Sequence, residues 1–532
     1  MKHFSITFRP DGKQILIHSG ATLIEAAGQG GIILNTVCGG KGTCKKCLVY
    51  LEPDSRKVFA CRHRIESDLT VTIPAESRYF EQRILTEGID AGSRIQPDIY
   101  QKYLPEEPAA PVFGLAVDLG TTTVVTRLID MTGGQCLATE AVLNPQTRFG
   151  DDVVSRIAYA QTGEEFDELN KAIIDCINDL TAKLCKKAAI ELNDIYEMCI
   201  AGNTTMNHIF LKLPITQLGQ APYEAYSLDA HNVSPAKLGL QMNPAGNIYT
   251  VENIAGFVGA DTTAVALAVD IDSAEEMTLI VDIGTNGEIV LGTKDKLYAA
   301  SCAAGPALEG ARITCGSRAC DGAIEAVVIN DDNIDLDVIG SCPPRSICGS
   351  GLIDAVAVML DLGIIDVTGR FTDPGTLEGK LPPAIFSRII EQNDEPAFIL
   401  AQAENSNEQP VFLSQKDIRQ MQLAKGAIRA GIKLLQQKIG LEDSDIKKIL
   451  LAGAFGNYIR RSSALRIGLL PVVETERIRF IGNAAAAGAQ MILLSQRCRD
   501  QARELARKIE YVEIAHEPDF QMTFAESMSF NT

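Results

Sequence analysis

Two stretches of the chain read alike: LAVDLGTTTVV at residues 115–125 and LIVDIGTNGEI at residues 279–289. Each is an apolar strand ending in Asp-x-Gly-Thr, followed by a tight turn and a second strand. The first unit then reaches a Thr132-Gly133-Gly134 turn and the second a Thr293-Lys294-Asp295-Lys296 turn, each leading to a third strand. The paired aspartates, Asp118 and Asp282, lie 164 residues apart. Two similar three-stranded units at that separation predict two duplicated lobes.

The chemistry of these turns points to phosphate. A glycine between hairpin strands allows close backbone approach, and the following threonines add hydroxyl and N–H donors. Gly120, Thr121 and Thr122 in one turn, and Gly284, Thr285 and Asn286 in the other, can clamp a triphosphate from both sides. Asp118 and Asp282, at the strand ends, suit Mg²⁺ or its waters. In the Gly202-Asn203-Thr204-Thr205 turn, Asn203 and Thr204 are further candidates, although a buried turn explains them equally well. A third element runs from the apolar strand Lys448–Leu451 into Ala452-Gly453-Ala454-Phe455-Gly456-Asn457, with RFIGNAAAAGAQ at 479–490. Its small residues leave room for an adenine ring against backbone. Neither G-x4-G-K-[ST] nor a strand-linked G-x-G-x-x-G occurs, so competing nucleotide folds lack support.

The N-terminal region carries different chemistry. VCGGKGTCKKC at 37–47 and Cys61 give the spacing C-x5-C-x2-C-x13-C. Four thiolates hold a [2Fe–2S] cluster, and the plant-type spacing C-x4-C-x2-C with a distant fourth cysteine is a near neighbour. Zinc is the competing reading, since C-x2-C also suits a tetrahedral site. Phe4–Phe8 and Gln14–His18 alternate around Pro10-Asp11-Gly12-Lys13 as a hairpin. A short helix over 21–28 and strands over 47–52 and 69–73 follow. The other ten of the 14 cysteines are scattered and read as small buried hydrophobes.

Composition sets the outer bounds. The 532 residues, 46% hydrophobic and 22% charged, predict two to four globular domains. No apolar run reaches the ~18 residues that span a bilayer, and the N-terminus lacks a signal peptide's apolar core. A cytoplasmic protein is expected, with neither membrane nor nucleic acid among its partners. Clustered cysteines in that compartment favour metal or redox chemistry over disulfides. Residues 1–82 hold 11 Lys and Arg against 8 Asp and Glu, a net of +3, while the whole chain carries −19. The six histidines show no paired metal spacing, and no Ser-His-Asp order is readable.

Together, DLGTTT, DIGTNG and LAGAFGN resemble the actin, sugar-kinase and heat-shock-chaperone ATPase superfamily. Joined to the cysteine loop, they resemble the reductive activators of corrinoid proteins, over nearly the whole chain. NPQTRFGDDVVSRI (144–157), IAGNTTMNH (200–208), AAGPALEGARI (303–313) and ICGSGLIDA (347–355) share in that resemblance. The x5 spacing resembles the adrenodoxin-like branch of ferredoxins.

The resemblance implies an α/β and α+β multidomain architecture. Residues 1–82 form a β-grasp [2Fe–2S] ferredoxin-like domain, 83–111 a linker, 112–277 ATPase lobe 1, and 278–532 lobe 2 with a C-terminal extension. It implies that Cys38, Cys44, Cys47 and Cys61 ligate the cluster, and that Gly453, Ala454, Phe455 and Gly456 line the adenosine. The implied cofactors are [2Fe–2S], ATP and Mg²⁺. The implied activity is ATP-dependent one-electron reduction of Co(II) to Co(I) in a corrinoid protein of a methyltransferase system, with a low-potential electron donor and a homodimeric state. A redox-sensing ATP-binding regulator, or an activator of a 2-hydroxyacyl-CoA dehydratase, are the alternatives. Larger members of the family carry a middle domain before the ATPase, whereas here the linker is expected to run almost straight into DLGTTT.

Overall fold

The computed structural model describes the chain apart from residues 1, 10–11, 31, 33, 35–46, 74–94, 104–111, 151, 311, 393, 404–409, 454–458 and 532. Cys38, Cys44, Ala454, Phe455 and Gly456 therefore lie outside the described residues. Strands β1 (His3–Arg9) and β2 (Lys13–His18) form the expected hairpin, and α1 (Leu23–Gln29) the expected helix. β3 (Leu48–Leu51), β4 (Arg56–Phe59) and β5 (Leu69–Thr72) complete a five-stranded sheet of order β2-β1-β5-β3-β4. β1 and β5 run parallel; the other pairs are antiparallel. Phe4, Ile6, Phe8, Leu23, Val49 and Val71 build a core private to this unit.

The two repeats fold as mirror passages of one topology. In the first lobe β6 (Phe113–Leu119), β7 (Thr123–Asp130) and β8 (Cys136–Leu143) are consecutive antiparallel strands. β9 (Ile195–Gly202) then adds parallel to β6, and β11 (Asn247–Thr250) parallel to β9; β10 (His231–Val233) edges the sheet. In the second lobe β12 (Thr278–Ile283), β13 (Gly287–Gly292) and β14 (Leu297–Cys302) repeat the antiparallel run. Two later strands, Lys448–Ala452 and Ile478–Gly482, add parallel beside β12 in the same order. Because β6 and β12 are flanked on both sides, they read as continuous apolar runs rather than alternating ones. A smaller sheet of β15 (Ala323–Asn330), β16 (Asn333–Val338) and Ser346–Ile347 rises from the second lobe.

The lobes meet through two helices, α2 (Ala260–Ala268) and α3 (Ala484–Leu494), inside one apolar core that draws on both. A Cβ at Gly488 would sit 2.0 Å from the Ala264 carbonyl oxygen, so only glycine permits this crossing. The run AAAAGA, read as space for an adenine ring, has two parts: Ala485 lines the cleft, while Gly488 lets the two helices cross closely. Within the expected linker, residues 83–111, the described part from 95 to 103 packs against the lobes. Ile95 and Ile99 are buried in the same core, Asp98 N–H donates to the Leu494 carbonyl, and Tyr103 donates to Glu197. Residues 95–103 are thus fastened to both lobes, because their apolar side chains find a pocket at the lobe junction. No helix among the described residues is long and apolar enough to cross a membrane.

Candidate nucleotide site

A cavity of about 660 Å³ opens between the lobes. Asp118, Gly120, Thr121, Thr122, Asn203, Asp282, Gly284, Thr285, Asn286 and Gly453 all line it. The duplicated topology explains the convergence, since each Asp-x-Gly-Thr turn ends the central strand of its sheet. The two turns touch: Thr122 Oγ1 and Thr285 Oγ1 are 2.8 Å apart across the lobes. Thr285 Oγ1 also donates to Glu309 Oε1 at 2.7 Å. The turns are made for close approach. A Cβ at Gly120 would meet the Thr123 carbonyl oxygen at 2.7 Å, leaving that backbone bare towards the cavity.

Stretches that the sequence left without roles brace the first turn from behind. Asn144 Nδ2 donates to the Gly120 carbonyl at 2.8 Å, and the fully buried Arg156 donates to the Thr121 carbonyl at 2.5 Å. Asn203 Nδ2 donates to Thr121 Oγ1 at 2.8 Å, while its Oδ1 caps the next helix at Met206 N–H. Thr204 stands apart from the cleft. It is buried, and its hydroxyl donates to the Ala255 carbonyl at 2.6 Å, so its part is structural.

Four residues at the cleft had no assigned part. Asp261, at the start of α2, Glu288, paired with Asp282 on the neighbouring strand, Glu309 and Asn483 all line the cavity. Asn483 Nδ2 donates to Asp118 Oδ2 at 2.7 Å, tying the lobes at the aspartate itself. Glu288 stands in DIGTNGE and Asn483 in FIGN, so both were in view. Asp261 had a signal too, a glycine-led GAD at a helix start.

Burial governs the charge of this wall. It raises Asp118 to about 6, against the pull of Asn483 and Arg127. It raises Asp282 to about 7, with Asp261 and Asp118 adding repulsion. Asp261 also moves to about 7, and Glu288 lies well above the ordinary carboxylate range, again through burial first and neighbouring carboxylates next. Half-buried carboxylates that repel one another are the surroundings in which a bound cation lowers proton affinity; among the described residues no three of them converge on one point. The sign of the pH effect follows. Raised pKa values mean the folded state holds more protons between pH ~4 and ~7, so stability falls as pH rises through that window. Relative to Asp282→Asn, the nucleotide-free wild type is expected to lose stability over that range in urea denaturation. A difference constant with pH contradicts the raised Asp282.

In the N-terminal unit, Cys47 immediately precedes β3 and Cys61 follows β4 by two residues. The β3–β4 register pairs Leu48 with Phe59, and Ala60 N–H donates to the Cys47 carbonyl at 2.9 Å. Both cysteines therefore sit at one end of one hairpin, Cys47 buried and Cys61 half-buried, neither in a disulfide. Two thiol side chains at one hairpin end are a pair of soft donors of the kind a thiolate-held metal group uses; Cys38 and Cys44 lie outside the described residues.

Paired lobes, facing phosphate turns and an acidic floor define an ATPase of the actin and sugar-kinase class. Residues 276–532 match the family model described as the C-terminal domain of RACo, the ASKHA domain, and residues 113–274 match the RACo middle region. The corrinoid activation enzyme RamQ of Eubacterium limosum is 35% identical over 564 aligned positions, covering 94% of each chain. A reductase of Methanosarcina barkeri, named for a Co(II) methylated amine-specific corrinoid protein, is 27% identical over 75% of this chain and 73% of its own. The solved structure of a reductive activator for corrinoid, iron-sulfur protein superposes with a TM-score of 0.74 and 32% identity, covering 99% of this chain and 98% of that one. The chain belongs to the RACo family of corrinoid activators. The stretch that matches the family's middle region, residues 113–274, coincides with the first lobe.

Proposed function

We propose that this chain uses ATP to drive one-electron reduction of Co(II) to Co(I) in a corrinoid protein, keeping that partner competent for methyl transfer. The observation that carries the reading is the joining, in one member of this family, of a two-turn nucleotide cleft to a domain with cysteines gathered at one hairpin end. The domain's mixed sheet with one helix among the described residues supports the β-grasp ferredoxin assignment, with Cys38, Cys44, Cys47 and Cys61 holding a [2Fe–2S] group. When bound, that group supplies a low-potential one-electron donor, near ~−400 mV for plant-type clusters.

Co(I) lies lower still, and each ~59 mV uphill costs a factor of ten in a one-electron equilibrium. ATP can offset this only by binding two conformations unequally. The cleft offers a physical route. Thr121–Thr122 from one lobe and Thr285–Asn286 from the other would offer backbone N–H and hydroxyl groups to phosphate oxygens, the glycine N–H groups being used within the turns, so a triphosphate would favour whichever lobe angle satisfies both turns. Asp118 and Asp282 hold Mg²⁺ or its waters, and Gly453 leads into the adenosine-binding stretch through Ala454, Phe455 and Gly456. Asp261, with its raised proton affinity, accepts the proton of a water attacking the terminal phosphate. The corrinoid protein, a low-potential donor that recharges the N-terminal domain, and a second copy of the chain are the partners of this reading.

Anaerobically purified protein is expected to carry about two irons and two sulfides per chain, and its Mg·ATP hydrolysis to rise when a Co(II) corrinoid protein is added. Stoichiometric zinc overturns the cluster. Hydrolysis indifferent to the corrinoid protein overturns the activity and favours a redox-sensing regulator.

A further inference from the structure

The nucleotide cleft has a third wall. Besides the two lobes, Gln14, Ile15 and Leu16 of β2 and Gln29 at the end of α1 line the same cavity. The N-terminal domain is held there by a contact 334 residues apart in sequence: His3 Nε2 lies 2.9 Å from Asp337 Oδ1. The Asp337 side chain is only 4% exposed, so the seat encloses it. Asp337 sits on β16 beside Glu325 of β15, and the next residues, Val338 to Ser341, line the cavity opposite β2.

The seat is built to come apart. The N-terminal domain has its own core, separate from those of the lobes, and Leu16 at the cavity mouth remains 49% exposed. Leaving therefore breaks the His3–Asp337 contact while the domain's own core stays closed. The chain also runs from Gln29 directly into the segment bearing Cys38 and Cys44. The element that borders the nucleotide is thus the one that leads into the cysteine loop.

We propose that the N-terminal domain is a lid on the nucleotide cleft, its seating and nucleotide binding opposing one another. Seated, it narrows the mouth and slows nucleotide exchange. By linkage, whatever factor the seat takes from nucleotide affinity, bound nucleotide takes from the seat. ATP thereby releases the cysteine-bearing domain from the cleft. This rests on the reading of the cavity as a nucleotide site.

The test follows binding and release of a fluorescent ATP analogue on the full chain. His3→Ala and Asp337→Asn each remove the charged hydrogen bond, and each is expected to speed exchange about tenfold. The double variant is expected to gain no more than either single one, since both break one contact. Leu16→Ser, at an exposed position outside the domain's core, guards against misfolding and is expected to speed exchange as well. In the wild type, saturating ATP should increase amide hydrogen exchange in β2 and β16. Variants within twofold of wild type, with β2 and β16 equally protected with and without ATP, overturn the lid alone. Failure of the wild type to bind the analogue overturns the nucleotide site, and the lid with it.

Discussion

Asp118→Ala and Asp282→Ala are each expected to lower Mg·ATP hydrolysis by about 10²- to 10³-fold, the scale seen when a charge-stabilising group is removed from a preorganised site. Both side chains are half-buried on the cleft wall, one at the end of each lobe's central strand, with Asn483 fixing Asp118 from the opposite lobe. Alanine leaves the glycine turns in place, so nucleotide binding without magnesium should fall much less than turnover. The N-terminal domain keeps its own core and should still accept an electron from a chemical donor. Steady-state hydrolysis with the corrinoid partner present, alongside a reductive titration, separates the two effects. Full-rate partner activation by either variant would mean that ATP does not act through these turns.

The second large effect belongs to the cysteines. On the proposed ligand set, Cys61→Ser is expected to abolish the visible absorption of the [2Fe–2S] group, because a site needing four thiolates would lose one of its ligands. Cys61 is half-buried at the edge of its unit, so the substitution tests ligation with little cost to packing. Mg·ATP hydrolysis without partner should stay within about twofold, since the cleft's reacting groups come from the two lobes. Partner activation should vanish. Spectra and iron counts of the variant check this; an unchanged spectrum removes Cys61 from the ligand set.

Much of this arrangement was legible before any coordinates. The Asp-x-Gly-Thr repeat carries its own periodicity, and apolar strands with a glycine turn leave few ways to fold, so both three-stranded units and both glycine turns emerged from the sequence. The hairpin at the N-terminus was equally clear from its alternation. What stayed hidden depends on contacts between distant segments. Arg156 and Asn144 act on the back of DLGTTT through its carbonyls, and no local spacing announces such a partner. Asp261 enters the site only because α2 starts at the lobe junction. The run AAAAGA carried a true signal, small residues where something comes close, but composition alone cannot tell an adenine ring from a helix backbone. Residues 95–103 resembled a spacer because four apolar side chains are too few to show a periodic face.

The central claim is that nucleotide in the cleft lets an electron leave the cysteine-bearing domain for cobalt. The most direct measurement is a single turnover. Full-length protein is reduced stoichiometrically, freed of reductant, and mixed anaerobically with a Co(II) corrinoid protein, with or without Mg·ATP, while both chromophores are followed by absorbance. The account predicts that the iron-sulfur spectrum oxidises and Co(I) appears at the same rate, one for one, with Mg·ATP and only marginally without it. Co(I) forming equally fast without nucleotide, or forming while the iron-sulfur spectrum stays reduced, would contradict it.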